Sequence, residues 1–211
     1  MSSASLPDFG FYSVLTDPIR GYKYMTELLV DYQIPFVQLR VKNAPRDFIR
    51  EKALDMRRIT EGSQTRLIIN DDPHIAAEVD ADGVHVGQDD MPYEQVKELV
   101  GENKIIGLST HSPLQTIEAC RYKPHYIGIG PVFPTPTKKN PDPVIGLEGM
   151  KAMLSKTTVP GVCIGGIDLE NLPLVLEAGA VNFCMVRQFT GSENPERVLK
   201  EILKIYGEFY P

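Results

Sequence analysis

Short apolar runs rich in β-branched and aromatic residues alternate with longer amphipathic stretches along the chain. Runs of this length, bounded by turn residues, predict β-strands. The stretches between most of them predict helices, because their starts carry Asp, Ser or Pro and two of them end in Gly. The predicted strands are residues 11–17, 36–42, 66–71, 83–88, 104–111, 126–133, 159–167 and 182–189, and the clearest predicted helices are residues 45–62, 92–101 and 112–122.

This regular alternation predicts βαβ units and a parallel sheet. Eight such units in a chain of 211 residues predict an α/β protein, a compact (β/α)8 TIM barrel that forms a single domain over residues 1–211. The alternative architecture is an open doubly wound sheet. No Gly-x-Gly-x-x-Gly motif follows the first predicted strand, so a dinucleotide-binding version of that sheet has no support.

Composition and charge narrow the class of protein. The chain is 42% hydrophobic with a net charge of -6, which argues against a nucleic-acid partner but not against a small phosphorylated ligand. No apolar run approaches the ~20 residues that span a bilayer, and the N-terminus lacks a signal-peptide pattern, so we expect no membrane partner and a cytoplasmic location. Cys120, Cys163 and Cys184 are widely spaced, which is typical of reduced thiols. The oligomeric state stays open, a homo-oligomer included.

Polar residues alternate with apolar ones in the second predicted strand. Gln38, Arg40 and Lys42 share one face, which we place toward the barrel interior or its upper rim. An Arg fork together with a Lys charge suits a phosphate or diphosphate. The alternative is an edge strand with a solvated face, or cations that are paired with acids.

Acidic residues follow the third and fourth predicted strands. Asp72 precedes a proline and therefore predicts a helix N-cap, which leaves Asp71, with Asn70, to point toward the barrel mouth. Gln88, Asp89 and Asp90 follow the next strand, and capping alone explains one of these acids equally well. Two neighbouring carboxylates without His or Cys suit Mg²⁺, which takes oxygen ligands and retains water and substrate phosphate.

Two histidines and a serine lie on the fourth and fifth predicted strands. His85 is in mid-strand, where a lone histidine is more often a hydrogen-bonded core residue than a catalyst. Ser109 and His111 end the fifth predicted strand at the mouth. Ser109 is suited to donate to a phosphoryl oxygen, whereas His111 equally suits capping of the next helix.

A second anion site is predicted after strands seven and eight. Gly165 and Gly166 end the seventh strand and would let phosphate approach backbone N–H groups, with Arg187 as a supplement, although paired glycines also serve tight turns. Residues 131–146 carry five prolines and no helical period, so we expect a loop over the C-terminal mouth.

Seven segments together resemble the thiamine phosphate synthase family. They are "QLRVK", "IINDD", "GVHVGQDD", "IGLSTH", "GPVFPTPTKK", "CIGGI" and the opening "YSVLTD", and they occur in the family's order over nearly the whole chain. Members of the family are (β/α)8 barrels that join hydroxymethylpyrimidine diphosphate to hydroxyethylthiazole phosphate, which yields thiamine phosphate and diphosphate. The resemblance thus implies phosphorylated pyrimidine and thiazole substrates and a Mg²⁺ cofactor.

The resemblance also implies roles for individual residues. Those implied for the pyrimidine diphosphate are Gln38, Arg40, Lys42, Asn70, Ser109 and Lys138, of which Arg40, Lys42 and Lys138 are the expected catalytic cations. Those implied for the thiazole phosphate are Thr135, Thr137, Gly165, Gly166, Val186 and Arg187. Those implied for Mg²⁺ are Asp71 and Asp90.

One departure and two rival functions qualify the resemblance. Residues 186–189 read Val-Arg-Gln-Phe where the family has a small residue such as serine, which bears on selectivity for the thiazole phosphate. A thiazole tautomerase of the sister family would use acid–base chemistry, for which His111 is the available residue. A non-catalytic sensor of phosphorylated ligands would have lost a metal acid or Lys138, and both are present.

Overall fold

The computed structural model describes residues 6–135 and 142–211, within which the chain forms eight strands and nine helices. The strands are β1 (Tyr12–Leu15), β2 (Phe36–Leu39), β3 (Arg66–Asn70), β4 (Gly83–Val86), β5 (Ile105–Thr110), β6 (Tyr126–Ile129), β7 (Gly161–Cys163) and β8 (Asn182–Phe183). The helices are α1 (Tyr22–Asp31), α2 (Arg46–Thr60), α3 (Pro73–Glu78), α4 (Tyr93–Val100), α5 (Pro113–Arg121), α6 (Gly146–Leu154), α7 (Leu172–Glu177), α8 (Arg187–Thr190) and α9 (Pro195–Phe209).

The strands pair in parallel and in chain order from β1 to β8. The last strand returns to the first through a bridge between Phe11 and Phe183, where the Phe183 N–H donates to the Gly10 carbonyl at 3.0 Å. The sheet therefore closes on itself, and the predicted (β/α)8 barrel is confirmed. The open doubly wound sheet is wrong, because that fold leaves its first and last strands as unpaired edges.

Side chains alternate between two apolar layers. Those that point into the barrel form an inner cluster, whereas their neighbours pack against the surrounding helices in a larger outer core. In β1, for example, Tyr12 and Val14 belong to the inner cluster and Leu15 to the outer core. The alternation reaches β2, where Gln38 is only 4% exposed, so the polar face predicted for this strand does lie inside the barrel at that position.

Helix starts follow the capping signals in the sequence. The carboxylate of Asp72 accepts a hydrogen bond from the Ile75 N–H at 2.9 Å at the start of α3, which confirms its predicted structural role. The helix predicted after Ser109 and His111 is capped by Ser112, whose Oγ accepts from the Gln115 N–H. Capping is therefore not the role of His111. None of the described helices combines the length and apolar character needed to cross a bilayer.

The predicted strands are longer than the observed ones, and the difference is largest for β7 and β8. The eighth was predicted over residues 182–189, but β8 ends at Phe183 and the chain turns into the short helix α8. Exposed Arg187 and Gln188 followed by buried Phe189 and Thr190 fit one helical turn better than alternation. The assignment of Arg187 to a strand is therefore wrong, and residue 187 begins a helix at the mouth.

Candidate functional site

A chain of hydrogen bonds crosses the barrel interior. The Gln38 amide donates to the Tyr12 hydroxyl at 3.1 Å, and the hydroxyls of Tyr12 and Tyr126 lie 2.7 Å apart. His85 Nδ1 lies 3.1 Å from the Tyr126 hydroxyl, and its Nε2 lies 2.9 Å from Ser109 Oγ. Burial raises the pKa of both tyrosines, so these phenols stay protonated. Polar groups at the bottom of the site are thus linked to a serine at the mouth.

Glycines in β5 and β6 make room for this chain. Gly107 stands between His85 and Tyr126 in the strand register, and a Cβ on it would lie 2.2 Å from Tyr126 Cζ. A Cβ on Gly128 would touch His85 Cε1 at 3.4 Å. The missing side chain at residue 107 lets the rings of His85 and Tyr126 stack, with their centroids 5.5 Å apart.

The two cations after β2 differ in their partners. Arg40 is half-buried, its Nη1 lies 3.5 Å from Thr16 Oγ1, and it forms no ion pair with an acid among the residues that the structure describes. Burial raises the pKa of the Cys184 thiol, and the positive charge of Arg40 opposes that rise, so Arg40 lies within electrostatic range of this thiol of the inner cluster. Lys42 forms an ion pair with Asp71. The acid-paired alternative therefore holds for Lys42 and not for Arg40.

Asp71 and Asp90 meet at the ends of β3 and β4. The Asp71 N–H donates to the His85 carbonyl at 2.8 Å, and its φ of 63° is a left-handed conformation that few residues other than glycine adopt. Asp90 Oδ2 accepts from the Gly87 N–H at 2.7 Å. Burial raises the pKa of Asp90, and the adjacent charge and hydrogen bond of Asp71 raise it further. Capping does not account for Asp90, because Pro92 is the N-cap residue of α4.

This donor set fits Mg²⁺ better than a transition metal. Two carboxylates that repel each other are stabilised by a divalent cation, and their oxygens are the ligands that Mg²⁺ prefers. The part of the chain that the structure describes contains no cluster of three or more His, Cys, Asp or Glu side chains arranged to hold a metal. Mg²⁺ bound by Asp71 and Asp90 would therefore retain water and substrate oxygens as its other ligands.

The glycine pair after β7 has a steric reason of its own. Gly165 and Gly166 have φ values of 103° and 63°, and Cβ atoms on them would lie 2.5 Å from Pro131 and 2.6 Å from the Pro134 carbonyl. The segment that leaves β6 thus packs directly on this turn. The N–H groups of both glycines form no hydrogen bond with another described residue, so they are available to a phosphate.

Of the other residues predicted for a thiazole phosphate, three are described. Thr135 is half-buried and follows Pro134, whose carbonyl packs over Gly166. Val186 is the N-cap residue of α8, and Arg187 in its first turn is exposed. Two further predicted residues, Thr137 and Lys138, lie outside the described residues.

His111 is held at the edge of the mouth. Its Nδ1 lies 2.6 Å from the Gly130 carbonyl, and its Nε2 lies 3.4 Å from an Asp142 carboxylate oxygen. These contacts join the end of β5 to both ends of the segment that follows β6. A histidine held in this way suits the anchoring of that segment better than the proton transfer expected of a tautomerase.

Among the residues that the structure describes, neither the two buried cysteines nor Ser109 forms an activated nucleophile. Burial raises the pKa of Cys163 and of Cys184 to about 12, so both thiols stay protonated at neutral pH. Ser109 contacts His85, but the other ring nitrogen of that histidine lies against the phenol of Tyr126 and not against a carboxylate. The Ser–His–Asp arrangement is absent from this contact.

Comparison with known proteins assigns the family. A model of the thiamine monophosphate synthase family matches residues 15–189. This chain belongs to that family. Thiamine-phosphate synthase of Pelotomaculum thermopropionicum is 40% identical over 166 residues, which cover 79% of this chain and 76% of that protein. The enzyme of the same name from Vibrio parahaemolyticus is 39% identical over 184 residues, with 87% and 90% covered.

Solved structures agree with the assignment of this chain to the thiamine monophosphate synthase family. Thiamine phosphate pyrophosphorylase from Pyrococcus furiosus has a TM-score of 0.85 and 32% identity, and the match covers 97% of this chain and 98% of that one. A 3-hexulose-6-phosphate synthase matches with a TM-score of 0.65 and only 17% identity, which indicates a shared barrel and nothing about its reaction.

Two residues of the candidate site were not predicted from the sequence. Tyr12 and Tyr126 connect Gln38 to His85, and both lie in runs that were treated only as strands. The available signal was the phenol hydroxyl itself, which in both cases lies within a run predicted to be a buried strand. A buried tyrosine usually needs a hydrogen-bond partner for its hydroxyl, and that rule would have indicated such a network.

Proposed function

We propose that this protein is a thiamine-phosphate synthase that condenses hydroxymethylpyrimidine diphosphate with hydroxyethylthiazole phosphate, with release of diphosphate. The observation that carries the proposal is the set of charges at the ends of β2, β3 and β4. There the Lys42–Asp71 ion pair lies beside Asp90, and Arg40, two residues before Lys42, forms no ion pair with a described acid. Such a set suits a substrate with several negative charges.

The diphosphate is the group that this rim would bind. Mg²⁺, held by Asp71 and Asp90, would neutralise charge on the leaving diphosphate when bound. Arg40 would bind phosphoryl oxygens through its planar fork, and Lys42 would shift between Asp71 and the substrate. Asn70 and Ser109, near the ends of β3 and β5, would donate hydrogen bonds to the same substrate.

The proposed reaction needs no protein nucleophile. The bond between the pyrimidine methylene carbon and the diphosphate oxygen breaks, and the bond electrons leave with the diphosphate. The thiazole ring nitrogen then supplies the electron pair for the new carbon–nitrogen bond. The protein has to align two rings and stabilise the departing charge, and a barrel interior without an activated thiol is consistent with that task.

The second substrate would lie on the other side of the mouth. Its phosphate would be held by the N–H groups of Gly165 and Gly166, together with Val186, Arg187 and the threonines at positions 135 and 137. Lys138 would reach the diphosphate from the segment after β6. Cytoplasmic location is also part of the proposal, and the three unpaired cysteines support it.

The test is a direct assay of both products. Purified protein is incubated with the two substrates and Mg²⁺, and thiamine phosphate and diphosphate are each quantified against a reaction with chelator. We expect equal amounts of both products and none with chelator. Diphosphate release without thiamine phosphate would contradict the condensation, and failure to form either product would overturn the proposed function.

A pair of variants separates the metal site from the fold. Asp71→Asn removes a charged ligand and should lower turnover on the order of a hundred-fold or more. Asp72→Asn is the matched control, because asparagine also caps the helix, and it should retain the activity of the parent protein. Equal activity of the two variants at saturating Mg²⁺ would refute the assignment of Asp71 as a metal ligand.

A further inference from the structure

The hydrogen-bond chain inside the barrel has a direction. Gln38 donates through its amide Nε2 to the Tyr12 hydroxyl, so the hydrogen of that hydroxyl is left for Tyr126. The hydrogen of the Tyr126 hydroxyl is then left for the next acceptor along the chain, which is His85 Nδ1 at 3.1 Å. A neutral imidazole whose Nδ1 accepts carries its proton on Nε2.

The last link reaches the mouth. His85 Nε2 lies 2.9 Å from Ser109 Oγ, so an Nε2–H group donates to the serine oxygen. The hydroxyl hydrogen of Ser109 is then directed away from His85. Ser109 is half-buried near the end of β5, two residues after Gly107, and Gly107 is aligned through His85 with Asn70 at the end of β3.

We propose that His85 is a positioning residue that keeps Ser109 as a hydrogen-bond donor toward a phosphoryl oxygen of the pyrimidine substrate. The inference deepens the proposed function and rests on it. His85 does not itself contact the reacting atoms. It acts by occupying one side of the serine oxygen, so that the serine hydroxyl does not turn inward and present only its lone pairs to an anion.

The surroundings of His85 restrict its ring to this role. The ring stacks on Tyr126 at an interplanar angle of 23° and lies against the backbone at Gly128. Gly107, between the two rings in the register, leaves the space that both need. Rotation of the imidazole would break the contact of each ring nitrogen, and a half-buried position makes the loss of both partners unfavourable. The serine is therefore positioned by a rigid partner.

The first experiment reads the tautomer of His85 directly. In the full-length protein labelled with ¹⁵N-histidine, the coupling pattern of the ring nitrogens distinguishes Nε2–H from Nδ1–H, and His74→Gln, His111→Gln and His125→Gln variants assign the signals by elimination. We expect Nε2–H, and we expect the Nδ1 signal to shift in a Tyr126→Phe variant. An Nδ1–H tautomer overturns the inference, whatever the enzyme assay gives.

The second experiment asks whether His85 acts through Ser109. His85→Phe keeps a ring and removes both hydrogen bonds, and we expect kcat to fall about a hundred-fold, as for Ser109→Ala. The double variant should be no slower than the slower single variant, because the two residues act as a unit. His85→Gln, which retains a donor near the Nε2 position, should recover most of the activity.

Control variants separate the loss of the His85–Ser109 contact from misfolding and from failure of the proposed function. The exposed His74→Gln variant should match the parent in kcat and KM, and circular dichroism checks that each variant is folded at the assay temperature. Losses that multiply in the double variant would refute action through Ser109, as would an unchanged kcat in His85→Phe. Failure of the parent protein to form product would refute the proposed function instead, while the tautomer measurement would stand on its own.

Discussion

Gly107→Ala provides a sharp test of how the barrel interior is built. The added Cβ would lie 2.2 Å from Tyr126 Cζ and 2.5 Å from its hydroxyl oxygen, whereas ordinary contact begins at 3.4 Å. The phenol ring would therefore have to move by more than an ångström. It cannot do so and keep its hydroxyl 2.7 Å from that of Tyr12 and 3.1 Å from His85 Nδ1.

Two costs contribute to the expected loss of stability. Overpacking a core position by one methyl group costs about 1–3 kcal/mol in the free energy of unfolding. Loss of the two hydrogen bonds of Tyr126 adds about 1 kcal/mol for each bond. We therefore expect a loss of roughly 3–5 kcal/mol, which corresponds to a fall in Tm of roughly 6–20 °C for a chain of this length. Turnover should fall as well, because displacement of Tyr126 disturbs His85, which is the hydrogen-bond partner of Ser109.

The assay is urea unfolding followed by circular dichroism, together with turnover at saturating substrate. Gly207→Ala is the matched control, since a Cβ there meets no atom within 4 Å and a helical alanine stabilises by up to about 1 kcal/mol. In a Tyr126→Leu background the alanine at residue 107 should cost far less. A loss below about 1 kcal/mol, or the full loss in the leucine background, would refute the packing argument.

Three further predictions concern other parts of the chain. Lys138→Ala should lower kcat more than it weakens binding of the thiazole phosphate, and the opposite result from steady-state kinetics and calorimetry would place Lys138 at the other phosphate. Burial, with Arg66 nearby, lowers the pKa of His125, so the folded state resists protonation, and its stability should decline as the pH falls from about 7 to about 5. The urea midpoint of His125→Gln should decline less than that of the parent protein over that pH range. Equal declines in the two proteins would show that His125 is not the cause. Asp72→Ala should destabilise the protein by about 1 kcal/mol while Asp72→Asn does not, and equal unfolding midpoints would show that the cap of α3 contributes nothing.

Much of the fold and part of the candidate site followed from the sequence. All eight predicted strands exist, and the helix predicted over residues 112–122 is observed at Pro113–Arg121. The cap of α3 by Asp72 and the inward face of Gln38 were also predicted. Periodicity and capping are local properties, because each depends on residues within a few positions along the chain. The family assignment likewise came from short motifs in a fixed order.

Other features depend on residues that are distant in sequence. The ion pair between Lys42 and Asp71 joins the ends of two strands, and the pKa of Asp90 is raised by burial and by a residue from the neighbouring strand. No local sequence pattern distinguishes a lysine that is free to bind a phosphate from one that pairs with a carboxylate. That outcome depends on how the closing barrel brings the strand ends together.

By itself, the sequence determined that strands and helices alternate, that eight strands form a barrel and that polar groups collect at its mouth. Only the tertiary structure decided that Gly107 leaves space for Tyr126, that His85 contacts Ser109 and that the chain after β8 turns into a helix. The physical reason is register. A barrel interior is filled by side chains from several strands at once, so the neighbours of each residue are known only when every strand has its partner.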